Sequence, residues 1–183
     1  MRVISGIYKG RKLKFIKNQD IRPTKDVVRE AIFDSLRGWI VNKKVMEIFA
    51  GSGLLGIEAI SHGAKKVIFI EMNKRGIEII KENIKSLDLE KKCEVIKGDC
   101  EYEIEKLRNF KFDLIIGDPP YDFSISKLER IMEKIIKLNI LKKNGIMVIE
   151  HEFKKNLPVV EGYEVIKKKK YGKTGLTYLR RIK

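Results

Sequence analysis

The sequence predicts an α/β fold built on a doubly wound, mostly parallel sheet that ends in an antiparallel β-hairpin. Five short apolar runs alternate with segments whose apolar residues recur at the helical spacing of 3.6 residues. The runs are nearly continuous in apolar residues, which is typical of parallel strands covered by helices on both faces. Two further β-prone runs close the chain and are joined through Gly172 and Lys173, as in a hairpin.

The individual elements follow from this alternation. After a β-prone start, Thr24 is expected to cap a helix whose apolar positions run to Leu36 and which Gly38 ends. The predicted strands are 45–49, 66–72, 93–97, 112–116 and 146–151, and the helices between them lie near 54–62, 74–87, 101–108 and 126–138. The closing hairpin pairs 163–171 with 174–182. Strand-helix-strand connections of this kind are right-handed crossovers.

The chain length of 183 residues suits one well-cored domain with a small appendage. We divide it into a basic hairpin and helix extension at 1–40 and a main domain at 41–183. No apolar stretch predicts a membrane span or a cleaved signal, so a cytoplasmic location and no membrane partner are expected. Cys93 and Cys100 have no metal-ligand spacing, so we expect reduced thiols and no metal site.

The charge predicts a polyanionic partner. The chain has 40 Lys and Arg against 25 Asp and Glu, a formal net charge of +15, which makes nucleic acid the first candidate. Basic residues interleave with Tyr8 and Phe15 in residues 1–15, the mixture that binds phosphates and stacks bases. The predicted nucleic-acid contacts are Arg2, Lys9, Arg11, Lys12, Lys14, Arg22 and Lys173. General enrichment in lysine, or a solvated edge strand, would produce a similar pattern.

A glycine-rich loop follows the first strand of the parallel sheet. Gly51-Ser52-Gly53-Leu54-Leu55-Gly56 is a G-x-G-x-x-G motif between a strand and a helix, where nucleotide-like ligands bind. Glu71 ends the second strand twenty residues beyond Gly51 and can accept hydrogen bonds from ribose hydroxyls. These features alone leave a dinucleotide dehydrogenase open, and glycines needed only for packing would look the same.

Two acidic residues favour a different ligand. Glu47, four residues before the loop, is expected at the mouth of the site, where it would repel a pyrophosphate but attract an ammonium group. Asp99 ends the third strand and can accept from an adenine amino group, while the backbone N–H of Cys100 donates to a ring nitrogen. A nucleoside with an amino-acid tail therefore fits better than a dinucleotide.

The fourth strand ends abruptly at Asp118-Pro119-Pro120-Tyr121. Two prolines fix the backbone and remove two N–H donors, which leaves rigid carbonyl oxygens beside a carboxylate and an aromatic ring. Such a corner can hold a flat molecule bearing an amino group. A stiff turn with a surface tyrosine is the alternative.

Together these motifs resemble the S-adenosylmethionine-dependent methyltransferases. The resemblance is carried by Phe49-Ala50-Gly51-Ser52-Gly53, Glu71, Gly98-Asp99 and Asp118-Pro119-Pro120-Tyr121. It is closer still to the RsmD-type bacterial enzymes, which methylate the exocyclic N2 amine of a guanine in 16S ribosomal RNA. That likeness adds Gly10-Arg11-Lys12-Leu13, the segment from Arg22-Pro23-Thr24 to Arg29-Glu30, and Leu55-Gly56-Ile57-Glu58-Ala59. Tyr121 replaces a frequent Phe, and Glu47 a frequent Asp.

The resemblance implies a Rossmann-like class I methyltransferase fold with seven strands and S-adenosylmethionine as cofactor. The implied cofactor-binding residues are Glu47, Ala50, Gly51, Ser52, Gly53, Glu71, Asp99, Cys100 and Asp118. Asp118 and the Pro119 carbonyl would accept the two N–H hydrogens of the amine, and Tyr121 would stack on the base. The implied partner is ribosomal RNA within the small subunit or its assembly intermediate, and a monomer is expected.

Three other functions stay open on the sequence alone. A DNA adenine-N6 methyltransferase or another nucleic-acid amine methyltransferase would share the Asp118 motif, although 183 residues leave little room for a DNA-recognition domain. A non-catalytic RNA-binding module would not need an amine-binding corner. A dehydrogenase would have to tolerate Glu47 beside its pyrophosphate.

Overall fold

The strands and helices alternate along the chain as predicted. The computed structural model describes residues 1–16, 23–120 and 122–183, with the side chains of 23–25 excepted. The strands are β1 (Lys44–Ile48), β2 (Lys66–Glu71), β3 (Cys93–Lys97), β4 (Phe112–Gly117), β5 (Leu141–Glu152), β6 (Tyr163–Tyr171) and β7 (Thr174–Arg181). The helices are α1 (Pro23–Ser35), α2 (Leu54–Ser61), α3 (Lys74–Ser86), α4 (Cys100–Lys106) and α5 (Ile125–Lys137).

All seven strands form one sheet in the order β3-β2-β1-β4-β5-β7-β6. The pairs from β3 to β5 are parallel, and β7 is antiparallel to both β5 and β6. The prediction of a doubly wound sheet that ends in an antiparallel hairpin is therefore confirmed. The chain order reverses between β1 and β4, and ligands bind in such sheets beyond the carboxyl ends of the strands at this point.

Helices cover the sheet on both faces. The cluster on one face includes Ile32 of α1, Ile60 of α2 and Ile80 of α3, and the other includes Ile104 of α4 and Ile131 of α5. Successive residues of β1 alternate between these clusters because strand side chains point to opposite faces. The burial of the central strands on both sides explains their continuous apolar sequence.

Most predicted boundaries differ from the structure by one or two residues, and the predicted starts of β5 and α1 are wrong. β5 begins at Leu141 and not at Ile146, because Leu141 pairs with Phe112 before the register shifts. Exposed polar residues between Leu141 and Ile146 hide this first part of the strand from an apolar pattern. α1 begins at Pro23, so Thr24 lies inside its first turn and is not the residue before it. Proline suits this position because its missing N–H would have no helical partner there.

The N-terminal segment, residues 1–16, folds back on itself as predicted. Its described residues contain only one antiparallel bridge, between Arg2 and Lys12. It packs against α2, where the Ile7 backbone N–H donates to the Ser61 carbonyl oxygen over 2.9 Å. Val3 and Leu13 are buried in the same cluster as α1 and α2. The division at residue 40 stays a prediction. Within the described residues, no helix is long and apolar enough to cross a membrane.

Candidate active-site cleft

A cleft of about 620 Å³ opens beyond the carboxyl ends of β1, β2, β3 and β4. Most of the predicted cofactor residues line it: Glu47, Ala50, Gly51, Ser52, Glu71, Asp99, Cys100 and Asp118. Pro119 also lines it, whereas Gly53 caps α2 behind the loop. Tyr121 and Arg22 lie outside the described residues. The fold thus brings together side chains from four separate strand ends.

The glycine loop turns tightly between β1 and α2. Gly51 and Gly53 have φ values of 55° and 71°, in the left-handed region that favours glycine. A Cβ atom at Gly56 would lie 2.3 Å from the Phe69 ring, so the start of α2 can approach β2 only without a side chain there. Phe49 also has a positive φ, 58°, at the last turn before the loop. The backbone of the loop is therefore held in one shape by its glycines and by packing.

Glu71 is oriented by the backbone around it. One carboxylate oxygen accepts from the Gly51 N–H over 2.6 Å, and the other accepts from the Asn73 N–H over 2.7 Å. A carboxylate oxygen can accept a second hydrogen bond besides the one it accepts here. Glu71 is thus fixed at the cleft wall, where its binding of ribose hydroxyls stays a prediction.

Glu47 lies on the floor of the cleft and not at its mouth. It is only 3% exposed and accepts a 2.7 Å hydrogen bond from the Gly56 backbone N–H. Burial, with a smaller contribution from the nearby Asp118 and Glu71, raises the pKa of Glu47 to about 8 against the opposing backbone donors. A positively charged group beside Glu47 would favour its ionised form, as the predicted contact with an ammonium group requires.

Asp99 has a partner that the sequence did not reveal. It caps α4 by accepting from the Glu101 N–H over 2.9 Å, and its other oxygen accepts from Lys127 Nζ over 2.6 Å. Although burial alone would raise it, the pKa of Asp99 is held below its ordinary value by these donors. Lys127 comes from α5 and lies 5.5 Å from the centre of the Phe123 ring, and both residues line the cleft. Only the packing of α5 beside α4 brings this lysine to Asp99.

Cys100 begins α4 and is 4% exposed. Burial raises the pKa of its thiol, so the group is neutral and unreactive at physiological pH. Cys100 is therefore part of the cleft wall and does not act as a nucleophile. The hydrogen bond expected from its backbone N–H to a ring nitrogen stays a prediction.

The predicted amine-binding corner lies where β4 ends. Asp118 is half-buried, Pro119 is buried, and the Pro120 carbonyl oxygen accepts from the Phe123 N–H over 2.8 Å. Phe123 packs edge-on against Phe49, with 4.7 Å between ring centres. These two rings form an aromatic wall of the cleft that also contains Asp118. Phe49 belongs to a motif that carries the family resemblance, whereas the sequence did not single out Phe123.

The N-terminal segment is joined to the glycine loop by one buried amide. Asn83 of α3 is 1% exposed, accepts from the Lys14 N–H over 2.8 Å and donates to the Lys14 and Ser52 carbonyl oxygens. Ser52 Oγ accepts from the Ile16 N–H over 3.2 Å. Phe15 and Ile16 then line the cleft. The segment predicted to bind nucleic acid thus forms part of the cofactor cleft wall.

The predicted basic residues within the described part of the chain lie on the surface, but several are engaged locally. Arg2 donates to the Gly10 carbonyl oxygen and Arg11 to that of Ser86, which leaves both charges unneutralised. Lys14 pairs with Glu82 over 3.1 Å. Lys9, Lys12 and Lys173 are exposed. The residues that the structure describes contain no group of three potential metal ligands.

A buried ion pair below the N-terminal segment was also missed by the sequence analysis. Arg29 and Glu58 are 3% and 1% exposed, and 3.3 Å separates Arg29 Nε from Glu58 Oε1. Arg29 donates to the Arg2 carbonyl oxygen, and Glu58 accepts from the Ile4 N–H. The pair therefore anchors the start of the chain beside the cleft.

The comparisons with known proteins agree with this geometry. A family model described as conserved hypothetical protein 95 matches residues 1–180. The ribosomal RNA small subunit methyltransferase D of Buchnera aphidicola is 36% identical over 167 residues, covering 91% of this chain and 86% of the relative. The protein of the same name from Haemophilus influenzae is 33% identical over 174 residues, covering 94% of this chain and 89% of the relative. The chain belongs to this RsmD-type methyltransferase family.

Two solved structures share this fold over the whole chain. An Escherichia coli protein named as a methyltransferase superposes with a TM-score of 0.87 at 27% identity, covering 100% of this chain and 98% of that one. A Haemophilus influenzae protein named as a methylase superposes with a TM-score of 0.83 at 30% identity, with the same coverage of both chains. The predictions of an RsmD-type enzyme, a class I methyltransferase fold and S-adenosylmethionine as cofactor are confirmed at the level of the family.

Proposed function

We propose that this RsmD-type methyltransferase transfers a methyl group from S-adenosylmethionine to the exocyclic N2 amine of a guanine in 16S ribosomal RNA. The observation that carries the proposal is that Asp118 and Pro119 line the same cleft as the glycine loop and Glu47. The names of the RsmD relatives support ribosomal RNA as the substrate class. The choice of guanine N2 follows from the family resemblance.

The cleft residues fit the proposed cofactor. A volume of about 620 Å³ lies in the usual range for small-molecule sites. The buried Glu47 would hold the ammonium group of the methionine tail, Glu71 the ribose, and Asp99 the adenine amino group. The cofactor supplies an electrophilic methyl group on a sulfonium. A cleft wall that includes Phe49, Leu54 and Ile70 would exclude water from that group.

The residues at the end of β4 would orient the amine. The Asp118 carboxylate and the Pro119 carbonyl oxygen are acceptors only, so they favour a base edge that presents two N–H hydrogens. Accepting both hydrogens turns the nitrogen lone pair toward the methyl group. Orientation of this kind can contribute effective molarities of roughly 10⁵ M or more. Phe49 and Phe123, with Tyr121 as the predicted stacking residue, would hold the base.

The target base would have to leave its helix to reach this corner. Flipping a paired base costs a few kcal/mol, so an unpaired guanine in the small subunit or an assembly intermediate is the favoured substrate. The exposed basic residues of the N-terminal segment adjoin the cleft through Phe15 and Ile16 and would hold the flanking phosphates. We propose a monomeric cytoplasmic enzyme.

Asp118→Asn tests the central step. The variant keeps the shape of the side chain but replaces one acceptor oxygen with a donor, so methyl transfer should fall by a factor of about 100 or more. The measurement is transfer of labelled methyl from S-adenosylmethionine to immature small ribosomal subunits. Glu133→Gln, an exposed change on α5, is the matched control and should keep wild-type activity.

Three outcomes would contradict the proposal. Transfer by Asp118→Asn at the wild-type rate would remove the role of the carboxylate. Wild-type protein that binds the cofactor but leaves no methyl on RNA would reject the substrate. Preferred methylation of duplex DNA added as competitor would favour the DNA adenine enzyme.

A further inference from the structure

A pair of lysines on the edge strand meets the end of α1. Lys167 and Lys169 are two residues apart on β6, so their side chains lie on the same face of the sheet. Their Nζ atoms lie 3.3 and 3.2 Å from the Ser35 hydroxyl oxygen. The two ammonium groups are therefore closer together than the sum of these distances. Ser35 donates its own proton to the Ala31 carbonyl oxygen over 2.8 Å, so its lone pairs face the lysines.

No carboxylate compensates this pair within the described part of the chain. Neither lysine forms an ion pair there, whereas the neighbouring strand residue Arg180 pairs with Glu164 over 2.6 Å. Burial and then the charge of Lys169 lower the pKa of Lys167 below its ordinary value. The Tyr178 ring, 5.7 Å from Lys167 Nζ, supports this side chain from beneath. Two like charges held together in this way form a preorganised site for an anion.

The pair is level with the active-site cleft. The strand register shows this. Lys168, between the two lysines, is the register partner of Thr177 on β7, and Thr177 is the partner of Ile149 on β5. Ile149 is in turn the partner of Gly117 on β4, just before Asp118. β6 runs in the same direction as β4, so both reach the same edge of the sheet. Three strand spacings of roughly 4.8 Å separate them, about 14 Å in all.

The lysine pair also shares a face with the N-terminal basic segment. α1 carries Ser35 at its end and contacts α2, against which the basic segment packs. Arg29 of α1 donates to the Arg2 carbonyl oxygen. A polyanion that crosses the cleft can therefore meet positive charge on both sides of α1.

We propose that Lys167, Lys169 and Ser35 form a binding site for one backbone phosphate of the RNA strand whose target base enters the cleft. The inference rests on the proposed RNA substrate. The strand pairing sets this site about 14 Å across the sheet from the end of β4, so the phosphate it binds belongs to a nucleotide other than the target. A phosphate offers several acceptor oxygens, so it can accept from both ammonium groups at once. The site adds a contact far from the base without reading sequence.

The experiment compares two double variants with the same loss of charge. Lys167→Gln/Lys169→Gln removes the pair, and Lys168→Gln/Lys170→Gln removes the two alternate lysines of the same strand. Binding to a fragment of small-subunit ribosomal RNA is titrated at several salt concentrations. The first variant should bind about tenfold more weakly, and its slope of log affinity against log salt should shrink by about 0.7, as for one lost single-strand phosphate contact.

The control variant should retain the wild-type slope and lose less than about threefold in affinity. Equal losses in both variants would show diffuse attraction and overturn the proposal, as would no loss in either. Weaker binding of an acidic polypeptide, with RNA binding unchanged, would assign the pair to a protein partner instead. Inorganic phosphate should compete only at far higher concentration than RNA, and equal competition would also overturn it.

Failure of the proposed function gives a different result from failure of this site. If wild-type protein binds RNA but transfers no methyl group to it, the function is rejected while the salt slopes still test the pair. If the function holds, Lys167→Gln/Lys169→Gln should raise KM for RNA about tenfold and leave kcat and cofactor affinity unchanged. A fall in kcat at saturating RNA would contradict a role limited to phosphate binding.

Discussion

The Glu47 carboxyl group sits on the floor of the cleft as a neutral acid at physiological pH, because burial raises its pKa to about 8. Asp99, which follows β3, is held ionised by Lys127 and by the start of α4. Two carboxyl groups of one cleft thus differ in protonation because of their surroundings. The neutral acid can respond to an incoming cation, whereas the ionised one already has a partner.

Glu47→Gln should remove part of the pH dependence of stability in the ligand-free protein. Wild-type Glu47 keeps its proton in the native state up to about pH 8, while the unfolded chain releases it near 4.5. The native state then binds more protons, so the free energy of unfolding falls as pH rises through this range, by at most about 1.4 kcal/mol per pH unit. Urea unfolding at a series of pH values measures it.

The exposed Glu133→Gln should follow the wild-type curve. A wild-type minus Glu47→Gln difference that stays constant with pH would contradict the burial of an acid at this position. Burial also raises the pKa of Glu58, which makes the free energy of unfolding fall with rising pH. This contribution is the same in all three proteins.

At the scale of elements, the N-terminal segment is fastened to α2 by very close contact. Gly6 has φ of 80°, and a Cβ atom there would lie 2.1 Å from the Ser61 carbonyl oxygen. Gly10 has φ of 82°, but a Cβ atom there would meet nothing within 4 Å. The two glycines therefore share a left-handed backbone conformation and differ in what surrounds them.

Gly6→Ala should destabilise the protein by about 3 kcal/mol or more, and Gly10→Ala by about 1 kcal/mol. Left-handed backbone strain acts in both variants, whereas collision with the α2 backbone acts only in the first. Thermal unfolding of the two variants measures the difference. Equal losses would mean that the segment is not docked on α2 as described.

At the scale of the whole molecule, contacts between distant parts of the chain build the cleft. Asn83 links Lys14 to Ser52, and Lys127 reaches Asp99 across α4 and α5. The basic segment, the glycine loop and the lysines of β6 are therefore arranged around one sheet edge.

The sequence predicted the features that depend on local pattern. Apolar runs placed the central strands, and Gly51, Glu71, Asp99 and Asp118 were placed at strand ends because parallel strands end at one edge. Local pattern does not encode contacts between remote segments, so Asn83 and Lys127 were missed. The start of β5 was missed for the same reason. Most of its first residues are polar and exposed, and only pairing with β4 identifies this part of the strand.

Asn83→Ala should cost about 1–3 kcal/mol of stability and should also weaken cofactor binding. It leaves the buried Lys14 N–H and Ser52 carbonyl oxygen without their partner, and Ser52 belongs to the glycine loop. Urea unfolding and calorimetric titration with S-adenosylmethionine measure the two effects. Glu82→Gln, which breaks only the exposed pair with Lys14, should change stability by less than about 1 kcal/mol.

Loss of stability in Asn83→Ala with unchanged cofactor affinity would show that the amide fastens the segment without shaping the loop. A change in affinity for Glu82→Gln as large as that for Asn83→Ala would assign the effect to charge.

The neutral Glu47 beneath the glycine loop couples the binding of a cation in the cleft to the release of a proton. Below about pH 8, a ligand with an ammonium group can bind beside Glu47 only as the carboxyl proton leaves, so binding releases a proton to the buffer. Affinity for such a ligand then increases with pH by at most about tenfold per unit. The enthalpy measured for binding will change with the ionisation heat of the buffer, whereas an uncharged nucleoside will bind without this signature.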